Sequence, residues 1–284
     1  MSWCVLYRGP LSSCNYACSY CPFAKTQNTR EELEHDRACL ARFVDWVAQQ
    51  SEQISILFTP WGEALHHRAY QEAMTRLSHL PHVKRVAIQT NLAARLDWVA
   101  EADLETIAFW VTYHPDQVSR EKFLASTHRL AQMGARFSVG VVGLKQHFSE
   151  IHALRQLLPP ATYMWVNAYK RQRDYYDEDQ VSWLQKIDPL FNWNRQSHAS
   201  LGSECAAGET SFTVDGEGHM RRCYFAGGII GNIYKAGFEQ ALKPRNCTIG
   251  SCGCHIGYVH LKKLKLSEVY GDSILERIPK VPQV

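Results

Sequence analysis

The chain has 284 residues, enough for one large domain or one domain with an appendage. Hydrophobic residues make up 45% and charged residues 21%, the balance of a globular protein with a substantial core rather than of a disordered chain. A formal charge of +3 is too small to point to nucleic acid or an anionic membrane as a partner, and the absence of any apolar run of about 18 residues predicts no membrane-spanning helix.

The first predicted strand, at 3–7, begins almost at Met1. The start lacks the basic residues and long apolar run of a signal peptide, which points to a cytoplasmic setting where thiols stay reduced. A cysteine-bearing loop follows, then a helix predicted at 30–50, with Leu33, Leu40, Phe43, Val44 and Val47 as its apolar positions. Four further pairs follow: strand 54–58 with helix 64–80, strand 83–89 with a short helix 94–102, strand 106–112 with helix 119–133, and strand 137–142 with helix 149–158. A sixth strand is predicted at 162–168. Such alternation implies right-handed βαβ crossovers and a parallel sheet, with ligands at the carboxyl ends of the strands. Six units are too few for the eight-stranded barrel. The chain divides into a core at 1–170, a polar, aromatic linker or barrel cover at 171–200, and a cysteine-rich appendage at 201–284.

Three cysteines in the first loop carry the strongest chemical signal. Cys14, Cys18 and Cys21 form C-x3-C-x2-C, with Tyr20 just before the last of them. Three thiolates this close can hold three corners of an iron–sulfur cube and leave one iron open. Half a zinc site would want a fourth ligand at short spacing, and disulfides would want an oxidising compartment. The loop resembles the cluster loop of the radical S-adenosylmethionine (SAM) enzymes. That resemblance implies a partial (β/α)6 barrel and a [4Fe–4S] cluster whose fourth iron is chelated by SAM. One electron then cleaves SAM to a 5′-deoxyadenosyl radical, which abstracts hydrogen from a substrate. It also implies that Tyr20 packs near the adenine, and that an electron donor such as flavodoxin or ferredoxin serves the cluster.

Other motifs fall just after strands. Gly62 and Glu63, in the run Pro60, Trp61, Gly62, Glu63, resemble the family's Gly-Gly-Glu turn, which binds the ammonium of SAM; Trp61 replaces the first glycine. The bland alternative is a strand-to-helix turn with Glu63 at a helix start. Asn91 resembles the family's Thr-Asn turn, or caps the next helix. Tyr113 and His114 end the fourth strand, where His114 could move a proton. Asn167 ends the sixth, with Tyr169 beyond it.

The appendage holds five cysteines. Cys205 and Cys223 are separated by seventeen residues that read as a hairpin with a glycine-rich turn. This resembles the opening of the auxiliary-cluster domain in the SPASM and twitch subgroups, and Gly231, Asn232 and Ile233 resemble the short motif that follows it there. Residues 254–261 resemble the C-terminus of a bacterial radical SAM subfamily. Five cysteines suit one auxiliary [4Fe–4S] cluster on Cys205, Cys223, Cys247 and either Cys252 or Cys254, with a structural zinc as the alternative. Cys39 reads as a small buried apolar residue.

The expectation is therefore an enzyme, a radical SAM oxidoreductase or maturase with a small twitch-like domain. Its substrate would be a peptide or a small polar metabolite. The early first strand points away from a built-in leader-binding domain, so a peptide would come with a separate delivery protein. The rival expectation is a non-catalytic iron–sulfur or zinc redox protein.

Overall fold

The computed structural model describes residues 2–23 and 26–280. Residue 1 and residues 281–284, the outer ends of the first and last expected regions, lie outside the described residues. Six strands form the parallel centre of the sheet: β1 (Ser2–Arg8), β2 (Gln53–Phe58), β3 (Val83–Thr90), β4 (Ile107–Tyr113), β5 (Arg136–Val142) and β6 (Met164–Asn167), in that order across it. Helices α1 (Arg30–Ala48), α2 (Arg68–Ser78), α3 (Arg120–Gln132) and α4 (Phe148–Leu157) make the crossovers. After β3 the crossover is a 3-10 segment at Asp97–Glu101, within the range of the short helix expected at 94–102. The architecture is the expected partial (β/α)6 barrel.

Strand parity sorts the side chains. Val5, Tyr7, Ile56, Phe58, Val86, Ile88, Phe109, Val111, Val139 and Val141 face the helices in one large core. Leu6, Leu57, Ala87, Ala108, Trp110 and Trp165 face the opposite way into a second core, the barrel interior. This is the period of two that puts alternate residues on opposite faces of a sheet. The interior is tight at Gly140, where an added Cβ would lie 2.1 Å from the ring of Trp165.

The stretch read as linker and cover carries α5 (Glu178–Ile187) and α6 (Phe191–Arg195). Their Leu184, Ile187 and Phe191 join the helix-side core, so these residues complete the sixth unit rather than roof the barrel. Two-residue strands β7 (His198–Ala199) and β8 (Glu204–Cys205) follow. The expected hairpin is β9 (Ser211–Asp215) with β10 (His219–Arg221), and β11 (Gly231–Asn232) pairs with β10. β9 also pairs in parallel with β1, so the appendage extends the barrel sheet and β1 sits inside it. Finally β12 (Arg245–Asn246) pairs with β8, and β13 (Ser251–Cys252) pairs with β7.

The interior is filled from the appendage. Tyr258 of α7 (His255–Tyr258), Leu266 and Tyr270 of α8 (Leu266–Tyr270), and Leu261 and Leu275 pack onto the inward residues of the strands. At the amino ends of the strands Glu276 is fully buried and pairs with Arg85 at 3.2 Å. Its carbonyl accepts from Ser138 Oγ at 2.6 Å, and the guanidinium of Arg277 lies 4.5 Å from the centre of the Trp165 ring. The floor of the barrel is thus closed by a buried ion pair, and its roof is left to the site.

Candidate active site

At the carboxyl ends of the strands the inward row continues as Arg8, Gln89, Thr112, Val142 and Asn167. These line a cavity of about 480 Å³, the size of an ordinary small-ligand site. Cys14, Cys18 and Cys21 open into it from the β1–α1 loop.

The described residues of that loop form no helix or strand, so their shape comes from side chains that bind the backbone. Asn28 Oδ1 accepts from the amides of Ser12 and Ser13, both at 2.8 Å. Buried Asp36 accepts from the amide of Leu11 at 3.1 Å, and Gln117 Oε1 accepts from the amide of Ala17 at 2.9 Å. Thr29 and Glu32 form a capping box that ends the loop and starts α1. Gly62 meets the loop from the β2 side: its neighbour's amide, Glu63 N, donates to Ser13 O at 3.1 Å, and a Cβ on Gly62 would sit 1.7 Å from that same oxygen. Only glycine allows this approach.

The three thiols sit among donors. The amide of Tyr16 approaches Cys14 Sγ at 3.4 Å, and the amide of Phe23 approaches Cys21 Sγ at 3.4 Å. Cys18 Sγ lies 3.4 Å from His114 Nδ1, which also meets Tyr20 OH at 2.8 Å. Burial holds the His114 imidazole down to about 4, so it is neutral at ordinary pH.

Glu63 is 3% exposed, and its carboxylate is engaged by its own chain. Thr90 Oγ1 donates to it at 2.7 Å, the amide of Asn91 at 2.6 Å and the amide of Leu65 at 3.3 Å. Burial outweighs these three donors and pushes its carboxyl up to about 7. Asn91 Nδ2 in turn donates to Asn15 Oδ1 in the cysteine loop at 2.8 Å. Glu63 therefore positions the β3 turn, and the turn steadies the loop. Asn91 caps no helix here.

The structure gathers Cys14, Cys18, Cys21, Gly62, Glu63, Asn91, His114 and Asn167 around one cavity. It does not bring Tyr113 there. By strand parity Tyr113 faces the helices, its ring tilted against Phe123 and its hydroxyl donating to Glu150 at 3.1 Å. Tyr20 stacks on His114 beside the cavity, while Tyr16 lines it. Tyr169 packs against Tyr175 in the loop after β6.

Sequence reading missed several cavity residues. Arg8 lies 3.6 Å over the Tyr224 ring, donates through Nε to Thr59 O at 2.7 Å, and has no carboxylate within 4 Å among the described residues. Tyr224 donates to Leu6 O at 3.0 Å and so fastens the appendage to the top of β1. Trp61 and Phe23 stack at the mouth, both more than 40% exposed. His255 lines the cavity from α7. Parity alone would have found Arg8, two residues beyond inward Leu6.

The appendage cysteines converge as well. Burial pushes the Cys252 thiol up to about 12, helped by the nearness of Cys223, Cys254, Cys247 and Cys205. Cys205 and Cys252 are held on β8 and β13. Cys254 differs: it lines the central cavity, and its thiol lies near the cations Lys170, Arg8 and Arg277. Among the described residues, no three sulfurs of either set lie within 4.8 Å of one another. Thiolates on a single zinc, each bonded at about 2.3 Å, would stand about 3.8 Å apart. Neither set is drawn as close as thiolates on a single zinc would stand.

The fold has solved counterparts. Native anSMEcpe with bound AdoMet and Cp18Cys peptide is 14% identical, covering 85% of this chain and 80% of that one with a TM-score of 0.56. The same protein with bound AdoMet and Kp18Cys peptide is 13% identical, with the same coverage and a TM-score of 0.57. With bound AdoMet alone it matches 84% of this chain and 80% of its own at 14% identity, with a TM-score of 0.55. At such identity the likeness is one of fold. No protein-family model matches the sequence, and no curated protein sequence does.

Proposed function

We propose that the chain is a radical SAM enzyme. The observation that carries this reading is the trio Cys14, Cys18 and Cys21 opening into a closed-floored cavity, on a fold shared with an AdoMet-bound protein. Cys14, Cys18 and Cys21 would hold a [4Fe–4S] cluster, with SAM beside it. Together the two groups supply a 5′-deoxyadenosyl radical that abstracts hydrogen from a substrate.

The chain's own residues shape that chemistry. Gly62 lets the turn after β2 close on the cysteine loop, and Glu63 holds Asn91 against Asn15. Neutral His114 and Tyr20 keep the Cys18 side of the loop in register. Trp110 and Trp165 wall the cavity from water below. Arg8, with no carboxylate partner among the described residues, suits a carboxylate on SAM or substrate. The substrate is a peptide or a small polar metabolite, and the neighbour with bound peptide supports the first. An electron donor such as flavodoxin or ferredoxin, and for a peptide a delivery protein, complete the system. The chain works in the cytoplasm, where thiols stay reduced.

The appendage reads as twitch-like, with one auxiliary [4Fe–4S] cluster on Cys205, Cys223, Cys247 and Cys252, leaving Cys254 to the cavity. That cluster would accept an electron or bind substrate. The test is anaerobic reconstitution, expected to give about eight irons per chain. The triple variant Cys14→Ala, Cys18→Ala, Cys21→Ala should keep half the iron and release no 5′-deoxyadenosine. Undiminished 5′-deoxyadenosine from the triple variant, or none from the wild type, sinks the reading.

A further inference from the structure

A second set of donors converges outside the barrel. α1 presents His35 and Cys39 one turn apart, the spacing that puts two side chains on one helix face. The turn between β9 and β10 brings Glu217 to the same place. His35 Nε2 lies 3.4 Å from Glu217 Oε1. Cys39 Sγ lies 3.7 Å from His35 Nε2 and 4.0 Å from Glu217 Oε1.

Those separations are informative. Donors bound to one tetrahedral zinc at about 2.0–2.3 Å stand about 3.3–3.8 Å apart. Two of the three distances fall inside that range, and the third lies close to it. An ordinary surface pair of His and Glu needs no thiol beside it. A purely apolar cysteine, the role read for Cys39 in the sequence, needs neither an imidazole nor a carboxylate.

The turn is also built to reach the thiol. A Cβ on Gly216 would sit 3.1 Å from Cys39 Sγ and 2.8 Å from Pro10 Cδ, so the loop comes as near as glycine permits. Beyond burial, Glu217, Asp36 and Asp215 raise the thiol's pKa against the opposing pull of Arg42.

We infer that His35, Cys39 and Glu217 form a site for one zinc ion, with the fourth position open to water. A nitrogen, a sulfur and an oxygen suit zinc better than the all-oxygen cations magnesium and calcium. The ion would tie α1, which begins where the cysteine loop ends, to the hairpin that extends the barrel sheet. Binding forms a zinc–sulfur bond and releases the Cys39 proton to solvent, with no change in oxidation state.

The experiment is a zinc count on the reconstituted, iron-loaded chain, so that the other thiol sets are occupied. One zinc per chain beyond the iron is expected. Cys39→Ser and Glu217→Gln should each lose it with iron unchanged; Glu217 is exposed, so its variant folds. Cobalt(II) added in place of zinc should give a thiolate-to-cobalt charge-transfer band in the wild type and none in Cys39→Ser. No extra zinc in the wild type overturns the site, and so does zinc that persists in both variants. Zinc lost instead from Cys205 or Cys247 variants places the ion in the appendage and also overturns it. Iron and zinc are counted separately, so a chain that takes zinc here but makes no 5′-deoxyadenosine fails only the enzymatic reading.

Discussion

The two cysteine sets use the same side chain in opposite settings. Cys14, Cys18 and Cys21 hang on an irregular loop whose backbone is tied down by Asn28, Asp36, Gln117 and the Gly62 turn, and they open into a cavity. Cys205, Cys223, Cys247 and Cys252 sit on or beside short paired strands, close enough to act on one another's charge. The first arrangement keeps a place for a small molecule. The second, if it holds the proposed cluster, leaves no iron open. A cysteine's chemistry here is set by what holds its backbone, and by what else the thiol can see.

The sharpest way to break that contrast is the choice between Cys252 and Cys254. Cys252→Ala should lose about half of the reconstituted iron, four of eight. Cys254→Ala should keep it all, because its thiol faces the cavity. The reverse pattern in an iron assay would exchange their places and undo the assignment of a saturated set.

Next comes Gly62→Ala. A methyl group there meets the backbone oxygen of Ser13, not a side chain that could swing away. The variant should be less stable by about 1–3 kcal/mol, the usual cost of overpacking, measured by denaturant unfolding. It should lose iron from the first set alone. Loss from both sets would mean that the loop and the appendage are not independent.

His260 is buried within the appendage, with Nε2 3.2 Å from Ser211 Oγ, and burial holds it down to about 4. In the unfolded chain an imidazole protonates near 6.5. The unfolded state thus binds the extra proton between those values. His260 should add its full share to stability above about 6.5 and lose it as pH falls toward 4, at up to about 1.4 kcal/mol per pH unit. His260→Gln should flatten that slope in pH-dependent unfolding. An unchanged slope would show that the buried ring is protonated or solvated.

The smallest effect belongs to the end of the first loop. Thr29→Ala removes one half of a capping box, in which Thr29 Oγ1 accepts from Glu32 N at 3.2 Å. A loss of about 0.5–2 kcal/mol is expected in thermal or denaturant unfolding, with iron content intact. A fall in iron would show that α1 must be capped for the loop to hold its cluster.

Much of this was legible in the sequence because the signal was local. Alternating apolar runs marked all six strands, and cysteine spacing marked both sets. Even the outward turn of Tyr113 was available from parity in β4, where Trp110 and Thr112 face the cavity. What stayed hidden was long-range. Nothing near Leu261, Leu266 or Leu275 says that these residues fill the barrel, because their partners lie on strands far away in sequence. The role of 178–195 was hidden differently: a polar, aromatic beginning masked two helices whose apolar residues are few. Glu63 was found by its motif, but its three internal donors come from a fold that no motif describes.

The buried pairing of Glu276 with Arg85 has a consequence for how the chain is made. The sixth strand ends at Asn167 and Glu276 comes 109 residues later, which at synthesis rates of about 5–20 residues per second is a wait of about 5–22 s. Through that interval the emerging sheet carries Trp110, Trp165 and Arg85 on an uncovered inner face. β1 also has an empty edge until β9 arrives. Expression of this protein should therefore depend on chaperones that shield a half-built barrel.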